Sequence, residues 1–266
     1  MIPAQLTAAC VCLWPCRLAS AEGHDGVVRA LLRVAAAEGG GTAVAESPLV
    51  DRRTEGGATA LLAASRGGHA PAVRTLLGVG GAATEVGTVV VGAGGGYTAL
   101  LLACGGGHAE VVEALLEGGA DLEARLPSGL FKGYTTLGYA SGKGHAATVA
   151  VLLAEAKRRW GADEARLCRF LDAGVTAGIL RGATPLMSAC GSNSLGGDPA
   201  SVVRQLLDAG ADPHAVVTSW LLRGFGALHE ACHYGHSREV PVLLGRCLRA
   251  RRFCSSVSHE LAPQLS

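Results

Sequence analysis

The sequence predicts an all-α solenoid of about six helix-loop-helix units with lengthened connecting loops, and three registers of residues predict it. Leu-Leu pairs recur at 31–32, 76–77, 115–116, 152–153, 206–207 and 243–244. All but the fifth follow, at constant spacing, a Gly-His pair: Gly23-His24, Gly68-His69, Gly107-His108, Gly144-His145 and Gly235-His236. Five residues before each His, and at the matching place in the fifth unit, stands an alanine: Ala19, Ala64, Ala103, Ala140, Ala189 and Ala231. The next residue is always Ser or Cys. Two short helices cannot bury their apolar faces alone, whereas stacked pairs share one continuous core. The small register falls where helices must approach closely.

Taken in order, residues 1–13 read as an irregular N-terminal segment, and the first unit occupies 14–36 around Ala19 and His24. The second occupies 57–83. The third, 96–124, shows the physics of one unit. Thr98 can cap a helix N-terminus with its hydroxyl, and Leu100 to Cys104 form a first helix. Gly105-Gly106-Gly107 end that helix, because glycine takes the left-handed conformation at little cost. His108 opens a second helix, on which Val111, Val112, Leu115 and Leu116 make one apolar stripe. The fourth unit, 133–160, carries Gly138 inside its first helix, a cost of about 1 kcal/mol relative to alanine. It is followed by an extra amphipathic segment, Asp163 to Asp172. In the fifth, 182–214, residues Asn193 to Asp198 enlarge the turn between the two helices. The sixth covers 224–248, and 249–266 reads as a basic, disordered tail headed by Arg249, Arg251 and Arg252.

The run Gly-Tyr-Thr-Ala-Leu-Leu-Leu-Ala-Cys-Gly-Gly-Gly-His-Ala-Glu-Val-Val-Glu-Ala-Leu-Leu-Glu-Gly-Gly-Ala-Asp (96–121) resembles the ankyrin repeat. So do Thr184-Pro185-Leu186 and Gly210-Ala211-Asp212, and the resemblance spans about residues 14 to 248. The chain departs from the family in two ways. An ankyrin unit has about 33 residues, whereas the Leu-Leu pairs here are 45, 39, 37, 54 and 37 residues apart. The family's His after Thr-Pro-Leu survives only as His229; Arg17, Leu62, Leu101, Gly138 and Met187 replace it elsewhere. The Thr–His interlock that the resemblance implies is therefore mostly absent, which points to a modestly stable array.

Composition narrows the function classes. Hydrophobic residues are 49% of the chain and aromatics 4%, so the core is built from Ala, Val and Leu. A net charge of +1 gives no global field toward nucleic acid or anionic lipid. Nine cysteines, an odd number without regular pairing, read as reduced thiols in a cytoplasmic protein, with the nucleus as the alternative compartment. The apolar stretch Leu6 to Trp14 lacks a preceding Lys or Arg and is broken by Pro15 and Arg17, unlike an export signal. Val86 to Gly107 is uncharged but glycine-rich, and its second half belongs to the third repeat, so no membrane insertion is expected.

Several motifs imitate chemistry. His229-Glu230-Ala231-Cys232-His233 fits the two-His, one-Glu pattern of zinc proteases, yet nearly every letter is already a repeat letter. Val89 to Gly96 resembles a dinucleotide loop but has Tyr97 where the third glycine belongs. Cys10, Cys12 and Cys16 lack a second ligand set. Lys157-Arg158-Arg159 suits a helix C-terminus. No cofactor, metal or catalytic set is assigned.

The resemblance implies a stack whose loops and first helices line a concave, partner-binding face. The expected function is a non-enzymatic adaptor or scaffold that binds a partner protein on that face and acts as a monomer; fold analogy fixes this class and not the partner's identity. The alternatives are a piece of a longer array fused to another domain, and a zinc-dependent hydrolase through His229, Glu230 and His233. Residues before each cap and each Gly-His give the candidate contacts Glu22, Arg66, Tyr97, Tyr134, Lys143, Phe225, His233 and Tyr234. The connecting loops add Arg52, Arg53, Phe131, Lys132, Trp220 and Arg223. Aromatic and Arg side chains dominate interface energetics, which singles out the rings.

Overall fold

A threonine hydroxyl starts most of the inner helices. In the computed structural model, which describes residues 8–38, 59–78, 97–126, 132–192 and 197–247, Thr59, Thr98, Thr135 and Thr184 accept hydrogen bonds from the backbone N–H of Leu62, Leu101, Gly138 and Met187 at 3.3, 3.2, 3.0 and 3.4 Å. Each satisfies a donor that the helix itself leaves unpaired. The inner helices are α1 (Ala8–Ala21), α3 (Ala60–Gly67), α5 (Ala99–Gly106), α7 (Thr136–Gly142), α10 (Pro185–Cys190) and α12 (Ala227–His233). The outer ones are α2 (Asp25–Glu38), α4 (Ala70–Gly78), α6 (Ala109–Glu117), α8 (Ala146–Trp160) and α11 (Pro199–Ala209). A further helix, α13, covers 239–247 in the sixth unit. One more, α9 (Glu164–Leu171), belongs to the insertion after the fourth unit.

Each inner helix packs on the next, α1 on α3, α3 on α5, α5 on α7, α7 on α10 and α10 on α12. The outer layer repeats the order from α2 to α4, α6, α8 and α11. The alanine register lies at these crossings: Ala19 is 6% exposed and Ala64, Ala103, Ala140, Ala189 and Ala231 are 0% exposed. Leu32, Leu76, Leu115, Leu152, Leu206 and Leu243 fill the space between layers. The segment expected to be irregular, 1–13, is corrected in part: α1 starts at Ala8.

The Gly-His pairs do more than mark a helix start. His69 Nε2 bonds the carbonyl of Ala21 at 2.8 Å, His108 that of Arg66 at 3.1 Å, and His145 that of Gly105 at 3.1 Å. Each partner belongs to the preceding unit, three residues before the equivalent His, so imidazoles staple successive units. The glycines make room for them. A Cβ on Gly68 would lie 2.5 Å from the His108 ring, and one on Gly107 would lie 2.7 Å from the His145 ring. Both glycines are also left-handed, with φ of 80° and 76°. The fifth unit has no such His. There the Asp198 amide bonds the Gly144 carbonyl at 2.9 Å, and the Nε2 of His236 in the sixth unit is buried without a hydrogen-bond partner among the described residues.

The insertion is helical, as its amphipathic pattern indicated. Asp163 caps α9 through the Arg166 amide at 2.9 Å, and Phe170 and Leu171 are buried. Phe170 meets Trp160 edge-on at 5.3 Å, while Arg166 lies over the Trp160 ring and pairs with Glu123 at 2.7 Å. Because α7 packs directly on α10 and α8 on α11, the extra helix is accommodated outside the stack. Among the described residues, no helix is long and apolar enough to cross a membrane.

Candidate partner-binding groove

The site is built from equivalent positions of successive units. The residue one before the register alanine is Tyr139 in the fourth unit, Ser188 in the fifth and Glu230 in the sixth, and these three share the floor of one groove. The residue before the helix cap supplies Tyr97, Tyr134 and Phe225 from the connecting hairpins, with Leu180 and Leu222 beside them. Lys143, His233 and Tyr234, at the ends of α7 and α12, line it as well. The groove is open to solvent and has a volume of about 500 Å³.

Small residues admit the large ones. A Cβ on Gly105 would lie 2.2 Å from the Tyr139 ring, so glycine is required there by close approach. On Gly142 it would lie 3.0 Å from the Tyr134 hydroxyl, and on Gly191 3.3 Å from Glu230 Oε2. Tyr97 and Tyr139 have ring centroids 6.1 Å apart, and Tyr134 meets Tyr139 edge-on at 6.2 Å. The Tyr134 hydroxyl donates to Ser188 Oγ at 2.7 Å across the boundary between the fourth and fifth units. Burial pushes the Tyr139 phenol up to about 12, and burial likewise raises that of Tyr134. Both phenols keep their protons at neutral pH and act as donors.

Glu230 is the charged member of the floor. Burial raises its carboxyl above the usual carboxylate range, and the neighbouring His233 and His229 pull in the opposite direction. Among the described residues no ion pair reaches it. A half-buried carboxylate beside aromatic rings, with only the exposed imidazoles of His233 and His229 acting on it, has electrostatic demand left for a ligand.

Of the contacts expected from sequence, Tyr97, Tyr134, Lys143, Phe225, His233 and Tyr234 converge on this groove. Arg66 does not; it is exposed on the second unit, and its carbonyl holds His108. Glu22 is exposed on the first unit. Lys132, Trp220 and Arg223 are exposed on hairpin turns and do not line the groove. Phe131, Arg52 and Arg53 lie outside the described residues, as does the glycine loop 89–96. Sequence reasoning missed Tyr139, Ser188 and Glu230 as a set. The signal was present, since all three stand one place before the alanine register.

The zinc-like motif is taken apart by its own geometry. His229 Nδ1 accepts from the Gly226 amide at 3.3 Å, and its ring packs on Phe225 at 5.1 Å. The His233 ring meets Tyr234 edge-on at 4.9 Å. Among the described residues no three His, Cys, Asp or Glu side chains gather as a metal site. Burial raises the thiols of Cys104 and Cys190, the latter to about 12, so both are packing residues rather than nucleophiles.

A family model described as ankyrin repeats, in three copies, matches residues 83–164, and a single ankyrin repeat matches residues 181–217. No curated protein matches the chain.

Proposed function

This chain is an ankyrin-repeat protein, and we propose that it is a non-enzymatic adaptor that seats an extended segment of a partner protein in the Tyr139–Ser188–Glu230 groove. Ankyrin repeats are protein–protein interaction modules; the fold supplies the class, and the groove supplies the chemistry. The carrying observation is a floor that changes from aromatic to small to anionic across three units, walled by Tyr97, Tyr134, Phe225 and Tyr234. Rings bury large area with little rotamer entropy to lose, which is why they anchor interfaces. Glu230, which no Lys or Arg reaches among the described residues, favours a Lys or Arg in the bound segment, where a charge-assisted bond forms and the neighbouring rings attract the cation.

Selection of a displayed random peptide library on the full chain tests this reading. Enriched peptides should carry a basic residue and should lose about tenfold or more in affinity on Tyr139→Ala, the scale of an aromatic anchor. Glu230→Gln should weaken only those peptides whose basic residue is intact. Peptides that bind Tyr139→Ala and wild type equally would place recognition elsewhere.

A further inference from the structure

Three successive hairpins end in a related sequence: Leu130-Phe131-Lys132-Gly133, Ile179-Leu180-Arg181-Gly182 and Leu221-Leu222-Arg223-Gly224. The equivalence is structural as well. Gly133, Gly182 and Gly224 all turn with positive φ, at 85°, 89° and 87°. The carbonyl just before the glycine receives the next hairpin: Thr176 Oγ1 donates to Lys132 O at 3.4 Å, and the Thr218 amide donates to Arg181 O at 2.9 Å. A Cβ on Gly133 would collide with Thr176, and one on Gly182 with Thr218. The turns are therefore locked side by side, and they present Lys132, Arg181 and Arg223 as one row.

All three cations are exposed, and among the described residues no ion pair neutralises them. Apolar side chains stand among them in solvent: Trp220 is 86% exposed, Leu221 54% and Ile179 52%. Ile179 and Leu221 stand on neighbouring turns tied by the Thr218 amide to the Arg181 carbonyl, and apolar groups gathered on one exposed edge mark an interaction surface. The nearby acids are committed to backbone, Asp172 to the Asp212 amide and Asp212 to the His214 amide. The chain's net charge of +1 thus conceals a local row of three positive charges.

We propose that this hairpin edge docks on an anionic lipid surface, with Lys132, Arg181 and Arg223 at the headgroups and Ile179, Leu221 and Trp220 entering the interface. Shape decides between a membrane and a protein segment. A peptide needs walls to bury its side chains, and the concave groove has them. Ile179, Trp220 and Leu221 stand exposed on their turns and line none of those walls, whereas a bilayer surrounds whatever enters it. Apolar side chains at the tip combined with cations beside them are the composition that interfacial binding uses, and indole prefers that depth. The docking is peripheral and uses side chains that do not line the groove, although Leu180 and Leu222 of the same hairpins do.

The test is co-sedimentation of the full chain with phosphatidylcholine vesicles, with and without phosphatidylserine. Wild type should bind the anionic vesicles and release with salt. Each cation near such a surface contributes about a fivefold gain in partitioning, so Lys132→Ala, Arg181→Ala and Arg223→Ala together should lower it about a hundredfold. The basic residues after Arg246 remain in that variant, so its loss isolates the hairpins. Brominated acyl chains should quench wild-type fluorescence more than that of Trp220→Phe. Equal binding by the triple variant, no preference for phosphatidylserine, or capture by polyglutamate instead of vesicles would each overturn the proposal. Tyr139→Ala should bind vesicles as wild type does, which keeps this surface distinguishable from the groove.

Discussion

Removing one imidazole staple should weaken the whole array by a calculable amount. In His108→Ala the bond from Nε2 to the Arg66 carbonyl is lost. That bond contributes about 1 kcal/mol net, because the freed carbonyl is exposed and returns to water. The ring also packs against the backbone of Gly68 and Gly106, where an added Cβ would meet it at 2.5 Å in each case. Losing that packing costs about another 1 kcal/mol. The sum, about 2 kcal/mol, corresponds to a fall in Tm of about 4–8 °C for a chain of this size. Thermal unfolding followed by circular dichroism measures it, provided the transition remains single. His108→Gln keeps a donor and should recover part of the loss. Two internal controls accompany it. His24 has no preceding described unit to reach, and His236 Nε2 has no hydrogen-bond partner among the described residues, so alanine at either position should cost clearly less. If His108→Ala matched His24→Ala, the staple would contribute nothing and the reasoning would fail.

Further outcomes follow from the same geometry. Thr98→Ala removes the cap on Leu101 N–H and should cost about 1 kcal/mol by denaturant unfolding, with Thr98→Ser retaining most of it. Gly105→Ala places a Cβ 2.2 Å from the Tyr139 ring, so peptide affinity should fall severalfold while the buried leucine core is untouched; unchanged affinity would count against the groove. Glu155 is held down to about 2, first by the hydrogen bond from Arg158 and also by Arg159. A depressed carboxyl stabilises the fold above its ordinary value of 4.5 and loses that contribution as pH falls toward 2, so Glu155→Gln should flatten the acid limb of stability over that range. Phe170→Ala should cost about 3 kcal/mol and raise amide exchange in α9, yet leave peptide affinity unchanged, because the insertion stands outside the stack.

Much of the scaffold was legible in one dimension. Alanine every unit, Thr at the caps and paired leucines impose their positions through local spacing, helix capping and burial, and none of these requires knowledge of a distant residue. The amphipathic Asp163 to Asp172 declared its helix by the same means. Other features depend on what another unit brings near. His69 and His108 find their carbonyl partners 48 and 42 residues away, and no periodicity announces a bond of that length. Gly105 reads as a helix stop, yet the Tyr139 ring is what forbids its Cβ. Glu230 reads as a letter of a zinc motif; stacking puts it beside Tyr234 and Ser188 instead. The units and their register could be read along the chain alone, because they follow from short-range periodicity. Which side chains share a groove or an edge emerges on stacking, because adjacency between units is a property of the stack and of the loop lengths that separate equivalent positions along the chain.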